Sequence, residues 1–243
     1  DIEKQDLNMV YLPFEIEPDF LKQGIKGLKA FNIKGVNITI PYKKEVIPYL
    51  EELDPLAEKI GAVNTIKNEN NRLKGFNTDA FGFKNMLNED ADFYIKNKKA
   101  LIIGAGGASR AVGLVRCENN IKELYMINRT VSRARELTRE WKNDYGDIKI
   151  ESGSLDKEYY NELIKKVDLI VDTTPVGMEP ETEVEPVIDT ACFHSNLLVV
   201  DLVYNPPQTT ILKAARKAGS HTLNGLKMLL YQAAESFKIW TER

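Results

Sequence analysis

Histidine and cysteine are nearly missing from this chain, which has two of each among 243 residues. His194 and His221 fall in no metal-ligand spacing, so no metal is expected and catalysis should not rest on imidazole. Cys117 and Cys192 form no C-x-x-C pair. That pattern fits two thiols in the reducing cytoplasm rather than a disulfide framework. Long apolar runs are also absent, and none could span a bilayer as a helix. Charge of one sign is lacking too: 33 Lys and Arg stand against 36 Asp and Glu, a net charge of −3. A general electrostatic grip on nucleic acid or an anionic membrane is therefore not expected, and any anionic ligand must be met by local cations. There is no Pro/Gly/Ser linker, low-complexity stretch or internal repeat.

What is present is an alternation of strand and helix patterns, which points to an α/β architecture with mostly parallel sheets. Asn8 to Phe14 reads as a strand and 18–30 as a helix. Val36, Ile38 and Ile40 alternate with Asn37 and Thr39, so a strand is expected there, ended by Pro41. Asp54-Pro55 starts a helix and Gly61 stops it. Ala62–Ile66 and Arg72–Phe76 read as strands around a turn at Asn68–Asn71. Further on, the apolar runs 100–103, 124–127, 168–171 and 197–200 have the character of central parallel strands. Helical patterns over 131–142 and 208–218 fill the gaps, in the rhythm of a doubly wound sheet. The last helix, about 225–241, is expected to bury Leu226, Leu229, Leu230, Ala233, Phe237 and Trp240 along one stripe.

Gly104-Ala105-Gly106-Gly107-Ala108-Ser109 follows the strand 100–103 and opens a helix. Such a turn lets backbone approach a pyrophosphate and places it on a helix N-terminus, where N–H groups and the dipole favour anions. Taken alone, the segment also suits a flavin or adenosylmethionine. The second strand ends at Asn128-Arg129-Thr130, with Arg133 a turn later. An NAD enzyme commonly carries an acid near this spacing to hold the ribose hydroxyls. A guanidinium instead matches a 2′-phosphate in charge and fork geometry, so NADP is expected over NAD.

Hydride transfer to a carbonyl also needs a proton donor beside the developing alkoxide. Thr39, Lys43, Asn64, Asn77 and Asp79 cluster at strand ends and turns of the first part. Three of these also have a plain structural reading: Lys43 as a surface lysine beside Lys44, Asp79 as a helix cap and Asn64 as a turn residue; further along the chain, Gln232 reads as a helix-surface residue and Tyr204 as a core tyrosine.

Here the sequence resembles a known family. The segments Gly35 to Lys43 (GVNITIPYK), Gly61 to Thr65 (GAVNT), Gly75 to Asp79 (GFNTD), Gly104 to Arg110 (GAGGASR) and Asn128-Arg129-Thr130 resemble those of shikimate dehydrogenases. So do Thr174 to Met178 (TPVGM), Asp201 to Pro206 (DLVYNP) and the helix running from Asn224 to Phe237. They stand in the family's order along essentially the whole chain.

The resemblance implies reversible NADPH reduction of 3-dehydroshikimate to shikimate, a step of aromatic amino-acid biosynthesis. It implies Lys43 and Asp79 as the acid–base pair, and Thr39, Asn64, Asp79, Tyr204 and Gln232 as partners of the substrate's hydroxyls and carboxylate. Gly104 to Ala108, Asn128, Arg129, Thr130 and Arg133 would hold the nucleotide, with Leu202 and Gly225 at its nicotinamide end. Two α/β domains are expected: a substrate domain of 1–84 plus 225–243, and a Rossmann-type NADP domain of 85–224, acting as monomer or homodimer. A quinate/shikimate dehydrogenase and a non-catalytic ligand-sensing module are the alternatives. Nothing at the start matches the family's S-x-S-P segment. The substrate domain is therefore expected without its usual first strand and helix, and with a weaker grip on shikimate than on NADPH. Lys227 replaces a glycine common in the family, either crowding the nicotinamide or reaching solvent.

Overall fold

The structure, a computed structural model, describes residues 5–242. The ends of the expected substrate domain, residues 1–4 and 243, lie outside them. Among the described residues there are two sheets.

The smaller sheet has the order β1-β3-β4-β2, from Gly35–Asn37 (β1), Glu52–Leu53 (β2), Thr65–Glu69 (β3) and Arg72–Phe76 (β4). It is mixed rather than mostly parallel: β1/β3 and β3/β4 are antiparallel, and only β2/β4 is parallel. Helices α1 (Leu21–Ala30) and α2 (Pro55–Ile60) cover it. Asp54 caps α2 by accepting from Leu56 N at 2.9 Å, and Gly61 ends it at φ 65°. The turn between β3 and β4 is shorter than composition suggests. Glu69 pairs with Arg72, and only Asn70 and Asn71 lie between, at φ 52° and 64°. Two consecutive positive φ values make a hairpin turn that matches strand twist, which lets β3 run on through Asn68.

Two expected strands are corrected. β1 stops at Asn37, and Thr39 and Ile40 lie exposed beyond it. Asn8 to Phe14 forms no strand and pairs with neither sheet. Its visible anchor is Tyr11, whose hydroxyl donates to Asn37 Oδ1 at 2.9 Å and whose ring lies 6.1 Å from that of Trp240.

The larger sheet is wholly parallel, with order β10-β9-β8-β5-β6-β7. Its strands are Lys99–Ile103 (β5), Glu123–Ile127 (β6), Lys149–Gly153 (β7), Leu169–Asp172 (β8), Leu198–Asp201 (β9) and His221–Asn224 (β10). Alternate residues feed opposite cores, with Ala100 and Ile102 on one face and Leu101 and Ile103 on the other. The order reverses direction at β5, and ligands of such sheets bind beyond the strand ends at that point.

Helix α3 (Asp79–Asn85) continues into a π-helical turn (Met86–Asp90), and α4 (Gly107–Glu118) follows β5. The rest are α5 (Val131–Asp144), α6 (Lys157–Ile164), α7 (Thr210–Lys217) and α8 (Leu226–Thr241). The expected face of α8 holds only at its C-terminal end, where Phe237 and Trp240 are half-buried; Leu226, Leu229, Leu230 and Ala233 are exposed, while Met228 and Ser236 are buried. A backbone close enough to touch decides this. A Cβ on Gly82 of α3 would lie 2.6 Å from Met228 O and 3.0 Å from Gln232 Cβ, so α8 turns its 228/232/236 face to α3.

Candidate active site

Asn77 sets the start of the site. Its side-chain oxygen accepts from Asp79 N (3.1 Å) and Ala80 N (3.4 Å), capping α3, and its amide donates to Ala62 O at 2.9 Å. Asp79 is thereby released from the capping role considered for it. Its carboxylate instead meets the Lys43 ammonium at 2.6 Å, with the two side chains 9% and 17% exposed respectively. Lys43 is not the plain surface lysine, and its side chain lies inside the cleft.

Asn64 completes the group. Its Oδ1 accepts from the backbone N–H of Thr78 at 2.8 Å, and a backbone N–H can only donate. The amide nitrogen must therefore face the other way, toward Asp79 Oδ1 (2.9 Å) and Gln232 Oε1 (3.2 Å). Lys43, Asn64, Asp79 and Gln232 thus come together from four separated stretches of chain. Thr39 and Tyr204 do not join them. Both are exposed, Tyr204 at 47%, and neither side chain hydrogen-bonds among the described residues.

The nucleotide turn lies alongside. Gly104 takes φ 102°, a conformation few side chains tolerate, and a Cβ there would lie 2.6 Å from Thr173 Oγ1. Around Gly106 there is nothing within 4 Å of a Cβ position, so the turn presents an open, exposed backbone cradle. Ala105, Gly107 and Ala108 are half-buried around it. Ser109 does more than save space: its Oγ accepts from Gly106 N at 3.0 Å and meets Thr173 Oγ1 at 2.7 Å. A Cβ on Gly107 would be 3.9 Å from Lys43 Cδ, so the catalytic candidate lies across a narrow gap from the cradle.

Asn128 Nδ2 holds Thr130 O at 2.9 Å, shaping the corner after β6. Arg129 and Thr130 are exposed there, as is Arg133, and neither guanidinium is ion-paired among the described residues. Two unneutralised cations at a helix N-terminus work against its dipole, and a bound phosphate would offset that cost. The open cradle and these cations fit a phosphorylated dinucleotide. At the other end, Leu202 N donates to Asp172 O at 3.0 Å, and Gly225 packs so closely on Leu202 O that a Cβ would collide with it.

Several residues were not singled out from the sequence. Arg110 reaches Glu140 through both guanidinium nitrogens (2.8 and 3.3 Å) and ties α4 to α5. Asp172 and Asp201 are buried register partners at the ends of β8 and β9. Burial pushes both carboxyls up, Asp172 to about 7 with help from the Asp201 charge, and Asp201 to about 6. Lys227 lies at the surface, as one of the two expectations had it, and there pairs with Asp90 at 3.1 Å on the π-helical turn.

Three family models match successive stretches of the chain. Residues 1–66 match the family model "Shikimate dehydrogenase substrate binding domain". Residues 87–216 match "Shikimate / quinate 5-dehydrogenase", and 225–243 match "Shikimate 5'-dehydrogenase C-terminal domain". A shikimate dehydrogenase (NADP(+)) of Halothermothrix orenii is 56% identical over 97% of this chain and 81% of its own length. A crystal structure of a shikimate dehydrogenase in complex with NADP+ covers the whole chain at TM-score 0.92 and 40% identity, over 83% of its own length. The Thermus thermophilus enzyme, solved with NADP(H) and shikimate, superposes at TM-score 0.87 and 33% identity, over 100% of this chain and 85% of its own.

Proposed function

The chain belongs to the shikimate dehydrogenase family, and we propose that it carries out the reversible NADP-dependent reduction of 3-dehydroshikimate to shikimate at the Lys43–Asp79 cleft. The observation that carries this reading is the 2.6 Å pair standing across from the glycine cradle. NADPH, when bound, supplies the hydride. The Lys43 ammonium donates a proton to the oxygen that becomes the alkoxide, and takes it back in the reverse direction. Asp79 holds that ammonium and accepts hydrogen bonds from a substrate hydroxyl. Asn64 and Gln232 supply the donors and acceptors that a polyhydroxylated ring needs. Thr39 and Tyr204, exposed and without a side-chain hydrogen bond among the described residues, close on the substrate's remaining polar groups. Gly104, Ala105, Gly106, Gly107 and Ala108 cradle the pyrophosphate; Asn128, Arg129, Thr130 and Arg133 take the 2′-phosphate; Leu202 and Gly225 bound the nicotinamide.

The substrate domain is residues 1–84 plus 225–243 and the cofactor domain 85–224, a division supported by the gap between matches at 67–86 and by the return at 225. We place the enzyme in the cytoplasm, as a monomer or homodimer. No helix among the described residues is long and apolar enough to cross a membrane.

The test is kcat/KM for shikimate and for quinate, each with NADP+ and NAD+. Shikimate with NADP+ should give the highest value. Preference for quinate would move the chain to the other substrate of the family. Nucleotide binding without turnover of either acid would make it a sensor.

A further inference from the structure

We propose that Ser236 is a positioning residue for the reaction, acting through a buried chain of hydroxyls that fixes the Asn64 amide. The proposal rests on the reading of the cleft given above. Ser236 is fully buried on α8, one turn beyond Gln232. A buried hydroxyl must find partners, and this one finds them in the small sheet rather than along its own helix alone. Its Oγ lies 2.8 Å from Thr65 Oγ1 and 3.2 Å from Thr78 Oγ1, and it also reaches Gln232 O at 3.0 Å.

The direction of the chain can be assigned. Asn37 Nδ2 faces the carbonyl oxygen of Asn64 at 3.2 Å, which only accepts, so this amide nitrogen points inward. Its two N–H bonds are shared among Asn64 O and the Oγ atoms of Ser236 and Thr65, each Oγ at 3.1 Å. The single Ser236 hydroxyl proton is shared between Gln232 O, which can only accept, and Thr65 Oγ1. Thr65 donates to Asn64 Oδ1 at 3.0 Å, beside the Thr78 backbone N–H that donates to the same oxygen. With its oxygen claimed twice on the buried side, Asn64 presents its N–H groups to Asp79 and Gln232. Successive hydrogen bonds polarise one another in a low-dielectric site, so the order at Asn64 depends on the far end of the chain. Ser236 thus couples α8 to the carboxylate that holds Lys43, without touching substrate.

Two variants test this. Ser236→Ala removes the hydroxyl, and Thr65→Val removes the next one while keeping a branched side chain. Each should lower kcat/KM for shikimate roughly three- to tenfold, the worth of one buried hydrogen bond, and leave KM for NADP+ unchanged. Because the two act in one chain, the double variant should lose little more than either single one. A fall in melting temperature with kcat/KM for shikimate unchanged would reduce the network to packing and overturn the proposal. An equal rise in KM for both ligands, or full additivity in the double variant, would overturn it too. Failure of the parent chain to turn over shikimate would instead overturn the reading of the cleft.

Discussion

Asp172 and Asp201 show how a single buried group ties the fold to pH. In the unfolded chain both would ionise near 3.8, but in the fold they keep their protons to about 7 and about 6. Between about pH 4 and pH 7 the folded state therefore holds more protons than the unfolded one, and stability falls as pH rises through that window. Every tenfold difference in proton affinity between the two states is worth about 1.4 kcal/mol, and the neighbouring carboxyls titrate as a pair rather than independently. Asp172→Asn keeps the acceptor that Thr174 N uses at 2.8 Å and removes the charge. It should raise the melting temperature more at about pH 8 than at about pH 4; a variant with the parent's pH slope would clear the pair of this role. Arg129 makes a second case. Exposed and not ion-paired among the described residues, it should cost NADPH roughly 1.5–3 kcal/mol of binding when changed to Ala and leave NADH nearly untouched. Equal weakening of both nucleotides, measured by titration, would show that it only supports the corner. Lys43, Asp79 and Asn64 were legible from motif resemblance. The hydroxyl chain behind them was not, because Asn37, Thr65, Thr78 and Ser236 meet only after folding, and nothing local marks a serine as buried.

Elements were legible where both faces are covered. The central strands β5, β6, β8 and β9 announce themselves as apolar runs, since alternate residues feed two cores. The strands β7 (Lys149–Gly153) and β10 (His221–Asn224) did not, because they are the edges of the sheet and their half-exposed residues read as loop. Helix α8 misled in the opposite way. Its leucine stripe suggests a core face, but the close crossing at Gly82 turns Met228, Gln232 and Ser236 inward. That crossing can be tested. Gly82→Ala must push the helices apart and should destabilise the chain by about 1–3 kcal/mol. By shifting Gln232 it should also raise KM for shikimate more than KM for NADP+. Urea unfolding and steady-state kinetics would read both effects, and unchanged stability would mean that the crossing yields without cost.

At the scale of the molecule, two sheets of different construction bring the Lys43–Asp79 pair and the glycine turn after β5 together. The chain passes between them twice, through α3 and its π-helical turn and again from β10 into α8, and the Lys227–Asp90 pair joins those two passages. One core runs across the junction, from Ile60, Ala80 and Phe83 through α4 to the parallel sheet. This continuity places Lys43 opposite Gly107 with Asp79 behind it. The proposed mechanism makes Lys43 the group that moves the proton. The most direct measurement mixes NADPH-loaded Lys43→Ala protein with 3-dehydroshikimate and follows loss of the reduced-nicotinamide absorbance in a single turnover, beside the parent protein and a separate NADPH titration. The expected result is unchanged NADPH affinity and a hydride-transfer rate lower by roughly 10²–10⁴-fold, with Asp79→Asn adding little on top of it. A near-parental rate in Lys43→Ala would contradict a proton-transfer role for this lysine.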